Sequence, residues 1–317
     1  MSEIIPSTTY QSGIIAAGSP QALFITLNHI GSGDGSALSA LYQVIAALPE
    51  QLSEVQKQFP QAQLLMTIGF SSAFWDSLAL ADRPAKLEPF QKIENAQVTM
   101  PATDADMMLH IRSDRHDVNY HLALTLFDAL KAMFKLEEMV HGFRYLDSRD
   151  LTGFVDGTEN PEGDSRNAVA LVADDGEFNN GSYVHLQKYL HDLSSWQKMA
   201  VKQQEDSYGR SKHENVEYAS VEKRNSAHTK RASVKDENAQ SIEILRHSLP
   251  FGDLAQSGLL FASYASSPDN FNLMLQSMCE IDDENETDKI LYVTSAKTGH
   301  AFYAPNLEWF EKLKQLV

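Results

Sequence analysis

The same succession of short apolar runs and amphipathic segments occurs in both halves of this 317-residue chain. In the first half, apolar runs at 22–28, 64–70 and 107–113 predict strands, and more strand material lies near 139–146. A segment in which apolar residues have helical spacing follows the first run and another follows the third. The resulting order is that of a β-α-β-β-α-β unit of ferredoxin type. The pattern therefore predicts an α+β fold rather than a helical bundle or a β-sandwich.

Two helices complete the first unit. Apolar residues from Leu38 to Leu48 recur with the period of one helical face, and Pro49 is expected to end that helix. A longer amphipathic helix is expected near 119–136. We assign residues 1–145 to the N-terminal ferredoxin-like half.

The second half, 146–317, repeats the pattern with an interruption. A strand at 181–190 leads into a helix that carries Trp196, and a charged, serine- and lysine-rich stretch follows at 203–240. Further strands are expected at 241–249, 258–265 and 289–296, with a helix through 271–279. We therefore expect two ferredoxin-like α/β halves with antiparallel sheets.

Composition excludes several classes of protein. The 43 acidic residues outnumber the 26 basic ones, for a net charge of −17, so binding of nucleic acid is disfavoured. The single cysteine, Cys279, allows no internal disulfide and no thiolate zinc site, which fits a reducing compartment. No apolar stretch is long enough to span a membrane, and the N-terminus lacks the pattern of a signal peptide. We expect a soluble cytoplasmic protein with no membrane partner.

Two suggestive segments have simpler interpretations. The glycine-rich stretch at 31–36 lacks the Lys-Ser/Thr pair of a phosphate-binding loop, so a flexible connection is expected. The acidic run at 281–288 has no glycine where a calcium-binding loop needs its turn, so most of it is expected to be a solvated loop.

The most distinctive stretch is RDLTGFVDGTENP, from Arg149 to Pro161. Glycines at 153 and 157 frame Asp156, so the backbone can approach a planar ligand closely while the carboxylate is directed into a cavity. Taken alone, the Asp-Gly and Asn-Pro pairs are equally consistent with an ordinary tight turn.

GFVDGTENP resembles the GxxDG signature of the dye-decolourising peroxidases, a family of haem enzymes. PATDADMMLHIRS, GSYVHLQKYLHDLSSW, LRHSLPFG, GLLFASYA and KILYVTSAKTGHAFYAP follow in family order, so the resemblance covers roughly residues 20 to 305. It is strongest to the compact bacterial cytoplasmic subgroup. It implies a paired ferredoxin-like (dimeric α+β barrel) fold, haem b, reduction of hydrogen peroxide with oxidation of dyes or phenolic compounds, and a dimer or assembly of dimers.

The resemblance also implies roles for particular residues. His228, in NSAHTKR, matches the proximal iron ligand, although Ala227 stands where the family more often has serine. Asp288 stands where a carboxylate would assist that histidine, but membership of the acidic loop explains it nearly as well. Arg246 matches the distal arginine that stabilises negative charge on peroxide oxygen. Asp156 would be the catalytic base, and a free aspartate pKa of about 4 predicts an acidic activity optimum.

The remaining candidates surround the cofactor. Gly157 would let the backbone approach it, and Leu259 and Phe261 would form an apolar ceiling, although core packing explains both side chains equally well. Ser248, two residues after Arg246, would hold a distal water. Of the basic residues near His228, we take Arg231 as the partner of a haem propionate.

Three alternatives stay open. A haem-binding or haem-transfer protein with incidental peroxidase activity would need His228 but neither Asp156 nor Arg246. Cargo of a protein nanocompartment is disfavoured because no long tail follows the last predicted helix. Chlorite or coprohaem chemistry shares the paired fold, but the GxxDG stretch argues against it.

Overall fold

The computed structural model describes residues 9–31 and 35–317. Residues 32–34 of the predicted glycine-rich loop lie outside the described residues. Within the described chain, no helix is long and apolar enough to cross a membrane.

The first half follows the predicted β-α-β-β-α-β order. Four long strands carry its sheet, and two long helices and three short elements connect them. In chain order they are β1 (Gln21–His29), α1 (Gly35–Gln58), β2 (Leu65–Phe70), α2 (Ser72–Ser77), β3 (Ile93–Glu94), β4 (Thr99–Met100), β5 (Met107–Ser113), α3 (His116–Leu130) and β6 (Phe134–Phe143).

The second half repeats this order with more short helices. Its elements are α4 (Ser165–Ala170), β7 (Ser182–His191), α5 (Leu193–Lys198), α6 (Val201–Tyr208), α7 (His228–Arg231), β8 (Leu245–Arg246), β9 (Leu249–Gly252), β10 (Ser257–Ala265), α8 (Pro268–Cys279), β11 (Thr294–Ala296), β12 (His300–Ala304) and α9 (Leu307–Gln315). Two 3₁₀ turns lie at Gly176–Phe178 and Lys289–Tyr292.

The two halves share one antiparallel sheet. Its order is β11-β7-β12-β2-β5-β1-β6-β9-β10-β8, and β7 also pairs with β10. Because β7 pairs with strands on both of its sides, the sheet closes on itself as a barrel and leaves few free edges. Each half contributes one ferredoxin-like unit to this barrel.

Strand alternation divides the core into an inside and an outside. Phe24 of β1, Leu186 of β7 and Tyr264 of β10 belong to a cluster inside the barrel. The neighbouring residues Leu23 and Leu109 point outward and pack under the first-half helices. The outward face of the second half has a smaller apolar cluster, and this is where the candidate site lies.

Four predicted elements were wrong in extent or in type. Helix α1 continues through Pro49 to Gln58 because Ile45, Leu48 and Val55 are buried on both sides of the proline, and their packing offsets the lost backbone hydrogen bond. The helix expected near 119–136 ends at Leu130, and β6 begins four residues later.

The strand expected at 289–296 is instead a 3₁₀ turn followed by the short β11. Asp288 starts this turn, since its side chain accepts a hydrogen bond from the Ile290 N–H at 3.0 Å. Of the strand expected at 241–249, only β8 and the first residue of β9 lie in strands. The Asn160 side chain bonds the backbone of Arg246 in β8.

Candidate functional site

A cavity of about 500 Å³ lies between the outward faces of β7 and β10, helix α8 and the segment that carries α7. This volume is within the range of cofactor sites. Its apolar wall consists largely of side chains from β10, α8 and the turn before β11: Ile244, Leu259, Phe261, Phe271, Met274, Leu275, Met278, Ile290, Leu291 and Val293. Its polar residues include Asp156, His228 and Arg246, which the sequence separates by up to 90 positions.

His228 is the first residue of α7 and is held from one side of its ring. Its Nδ1 lies 2.7 Å from Oδ2 of Asp288, a carboxylate with no exposed surface. The other oxygen of Asp288 accepts the Ile290 N–H, so the buried charge has two partners. When Nδ1 donates to this carboxylate, Nε2 keeps its lone pair, which is the form of imidazole that binds a metal.

The acidic run at 281–288 builds the support for this histidine. Glu286 accepts a hydrogen bond from Ser226 Oγ at 2.6 Å, and the backbone N–H of Lys289 donates to the Ser226 carbonyl at 2.9 Å. Asp282 binds Arg231 of the same α7 turn at 2.8 Å. Much of the run is therefore structural, and the prediction of a mainly solvated loop was wrong for these residues.

Asp156 lies at the end of a tightly folded loop. Its backbone N–H donates to the Ser148 carbonyl at 2.9 Å, and Arg149 donates to the carbonyls of Gly153 and Lys212. Gly153 and Gly157 have φ angles of 89° and 79°, which residues with a Cβ rarely adopt. A Cβ at Gly157 would meet nothing within 4 Å, so open space adjoins the backbone next to Asp156.

The electrostatics of Asp156 combine opposing effects. Burial raises the pKa of its carboxyl above the ordinary value, and the negative charge of Asp150 acts in the same direction. The positive charge of Arg246 and the Gly157 N–H lower the pKa, but burial outweighs them. Asp156 is thus a carboxylate with a higher proton affinity than an exposed aspartate.

Arg246 is fixed by its backbone and free at its side chain. The Asn160 side chain accepts the Arg246 N–H and donates to its carbonyl, both at 2.8 Å. Within the described residues, the guanidinium makes no hydrogen bond or ion pair. A cation held at a cavity wall without a protein partner is available to a ligand.

The other predicted residues divide into two groups. Gly157, Leu259 and Phe261 line the cavity. Ser248 lies instead on a smaller neighbouring cavity, and its Oγ accepts the Ala262 N–H at 3.1 Å. Arg231 is not among the lining residues, because its guanidinium is paired with Asp282 and bonds to two carbonyls.

Sequence reasoning missed a second carboxylate–imidazole pair in the same cavity. Asp150 Oδ1 lies 3.1 Å from His191 Nε2, and His191 Nδ1 lies 2.8 Å from Thr294 Oγ1. The signal was present: Gln187, Tyr189 and His191 alternate along β7, and all three line the cavity.

Tyr208 was also missed as a lining residue, and Arg210, one of the basic residues considered near His228, was passed over in favour of Arg231. The Tyr208 ring lies 5.9 Å from that of His228, edge to face, and its hydroxyl lies 2.9 Å from Thr152 Oγ1. Arg210 lines the cavity, where we had expected Arg231. Its Nη2 lies 3.4 Å from Oε1 of Glu159.

The barrel and the site together define a class: a paired ferredoxin-like α+β protein whose C-terminal half holds an imidazole, a carboxylate and a guanidinium around a cofactor-sized cavity. Comparison with known proteins gives the family. The profile of the Dyp-type peroxidase N-terminal domain matches residues 11–144, and that of the C-terminal domain matches 147–309. The chain belongs to the Dyp-type peroxidase family.

Individual relatives agree over most of their length. The chain is 35% identical to a dye-decolorizing peroxidase of Mycolicibacterium paratuberculosis, over 94% of this chain and 84% of that protein. The fold is similar to that of a dye-decolorizing protein from V. cholerae, with a TM-score of 0.87, 34% identity and coverage of 95% and 99%. It is also similar to a variant of DypB from Rhodococcus jostii RHA1 in complex with heme, with a TM-score of 0.89, 33% identity and coverage of 95% and 97%.

Proposed function

We propose that the C-terminal cavity holds haem b and that the protein reduces hydrogen peroxide while oxidising organic electron donors such as dyes and phenolic compounds. One observation carries the proposal: His228, Asp156 and Arg246 line one cavity of about 500 Å³. Family membership and the haem-bound relative support the same cofactor.

The residues present fit this cofactor. A porphyrin is flat and apolar with charged propionates at one edge, and the cavity has an apolar wall together with Arg210 at its polar side. His228 would hold the iron through Nε2, because Asp288 occupies its Nδ1. Asp288 fixes the orientation of the ring and increases its electron donation. Gly157 leaves space for close approach at the wall next to Asp156.

A haem bound here would supply the two electrons that peroxide accepts, and two molecules of a one-electron donor would replace them. The protein supplies the proton transfers. The Asp156 carboxylate removes the proton from one peroxide oxygen and delivers it to the other, which leaves as water. Arg246 stabilises the negative charge that develops on that oxygen. Apolar residues of β10 and α8 exclude bulk water from the cofactor.

A haem carrier would need only the cavity and His228. The desolvated carboxylate of Asp156 and the guanidinium of Arg246, which has no side-chain partner within the described residues, favour a peroxidase, because a carrier needs neither a proton acceptor nor a cation at this wall. Mixing haem-loaded protein with one equivalent of peroxide distinguishes the two functions. A peroxidase shows a rapid spectral change that a dye reverses over many turnovers, whereas a carrier shows only slow bleaching.

Location and assembly belong to the same proposal. The only cysteine of the chain is buried, and burial raises the pKa of its thiol to about 12, in keeping with a protein of the reducing cytoplasm. Family resemblance supports a homo-oligomer built from dimers. The division into halves at residues 145 and 146 is part of this proposal, and it is supported by the two domain profiles, which match 11–144 and 147–309.

A further inference from the structure

A second cavity, of about 190 Å³, adjoins the first and shares Asp156, Gly157 and Arg246 with it. Its charge is opposite to that of the protein as a whole. Although the chain has a net charge of −17, four arginines line this cavity with a single carboxylate, that of Asp156. The four are Arg112, Arg144, Arg149 and Arg246.

Arg112 is the most unusual of the four, because it is 2% exposed and has no anionic partner among the residues that the structure describes. Its Nη atoms lie 2.6 Å from the Gly13 carbonyl, 3.1 Å from that of Ala17 and 3.3 Å from Nδ1 of His247. His247 Nε2 lies 2.7 Å from the Ile14 carbonyl, so that ring is a neutral donor and acceptor. Burial lowers the pKa of Arg112 to about 10, which leaves it cationic at neutral pH.

Two further guanidiniums also lack a counter-charge. The side chains of Arg144 and Arg246 make no hydrogen bond or ion pair within the part of the chain that the structure describes. Arg149 differs, since Asp147 neutralises it at 2.8 Å. Three unpaired arginines against the one carboxylate of Asp156 leave two positive charges without a partner. Of the three, Arg112 is buried, and proteins normally pair a buried charge, whereas Arg246 is half-buried and Arg144 is exposed.

We propose that this smaller cavity binds a small planar oxyanion, such as formate, acetate or bicarbonate, between the arginines and beside Asp156. Guanidinium groups bind planar oxyanions through paired hydrogen bonds. A cavity of about 190 Å³ accommodates such an anion and excludes a dye molecule. Since Asp156 and Arg246 belong to both cavities, the anion also competes with peroxide. This competition rests on the proposed function, whereas the binding itself does not.

The test uses trifluoroacetate as the probe and follows its ¹⁹F line width in the presence of the haem-loaded protein at pH 7. Arg144→Gln is the test variant because Arg144 is exposed and its side chain makes no hydrogen bond or ion pair with the residues that the structure describes. Arg115→Gln is the matched control, since Arg115 is exposed, pairs with Asp117 and does not line the cavity. We expect saturable broadening that excess acetate reverses and trifluoroethanol does not. Binding should weaken at least several-fold in the Arg144 variant and stay unchanged in the control.

Two results would overturn the site. Equal broadening in the wild type and both variants means that the anion does not use these arginines. A Soret shift that follows the same titration places the anion on the iron instead of in the smaller cavity.

A kinetic experiment tests the overlap with peroxide separately. Acetate should raise the KM for peroxide with no change in kcat in the wild type, and should no longer do so in Arg144→Gln. Saturable trifluoroacetate binding with no effect of acetate on the KM would contradict the overlap. Binding by a protein that lacks peroxidase activity would leave the anion site standing and remove the proposed function.

Discussion

The two halves of the barrel have the same strand order and differ in what fills the space between sheet and helix. In the first half, outward residues such as Leu23, Ile25 and Leu109 belong to one large apolar cluster with buried residues of α1 and α3. In the second half, the corresponding faces of β7 and β10 present Gln187 and Phe261 to a cavity of about 500 Å³ under α8. One half is a closed core and the other is a binding site.

This difference shows how one fold can be both scaffold and site. The closed sheet keeps β7 and β10 in register whether or not the space above them is filled. The insertion between α6 and β8 then brings His228 over the open face, and Asp288, from the turn after α8, fixes it. Function in this molecule follows from the side chains on that face and not from the topology, which both halves share.

The largest effect is expected from His228→Ala, which removes the proposed link between the open half and its cofactor. Loss of a residue that only orients a metal ligand costs roughly 10–100-fold in metal affinity, and loss of the ligand itself should cost more. The variant should therefore lose most of its Soret absorbance relative to absorbance at 280 nm. His213→Ala, an exposed histidine that does not line the cavity, is the control. Equal haem content in the two variants would contradict the assignment.

Asp156→Asn should keep haem and lose turnover. The amide has nearly the shape of the carboxylate but cannot accept the proton, so kcat/KM for peroxide should fall by about 10²- to 10⁴-fold. Steady-state dye oxidation measures the loss, and the Soret band shows that the cofactor is still bound. Activity within threefold of the wild type would show that another group moves the proton.

Replacing a large apolar side chain by alanine should lower the free energy of unfolding by different amounts in the two halves. Leu109→Ala empties part of a closed core and should lower the free energy of unfolding by about 2–5 kcal/mol. Met274→Ala, at the cavity wall, should cost less in haem-free protein because its side chain already borders open space. Urea unfolding of both variants measures the difference. Equal losses would mean that the second half is as closely packed as the first.

The smallest expected effect concerns the acid side of the pH profile. Peroxide turnover needs Asp156 as the carboxylate, so activity rises as pH increases through its pKa. The negative charge of Asp150 raises that pKa, and Asp150→Asn removes it, so the acidic limb of kcat/KM should move to lower pH. Glu159→Gln, at the same cavity but not among the groups that shift Asp156, should leave the limb in place. A limb that stays or moves upward in the Asp150 variant would contradict this coupling.

Much of the fold could be predicted because the repeat of apolar residues that marks a strand and the one that marks a helix are both local in sequence. Strands β1, β2, β5, β7 and β10 lie where alternating or continuous apolar runs indicated them. The barrel closure and the passage of α1 through Pro49 could not be predicted, since each depends on packing between segments far apart in sequence.

The candidate site divides in the same way. Asp156 was found through its flanking glycines and His228 and Arg246 through family resemblance, and the structure brings all three to one cavity. Arg231 was chosen for its closeness in sequence to His228, but an ion pair with Asp282 holds it elsewhere. The Asp150–His191 pair spans 41 positions, and no local pattern joins its two members.

The most direct test of the central claim is the resonance Raman spectrum of the ferrous, haem-loaded protein. The account predicts an iron–imidazole stretching band in the wild type. The band should be absent in His228→Gly and restored when imidazole is added to refill the space. It should also shift in Asp288→Asn, because the hydrogen bond at Nδ1 is then weaker. A band that is unchanged in His228→Gly without imidazole would contradict the account, because some other residue would then bind the iron.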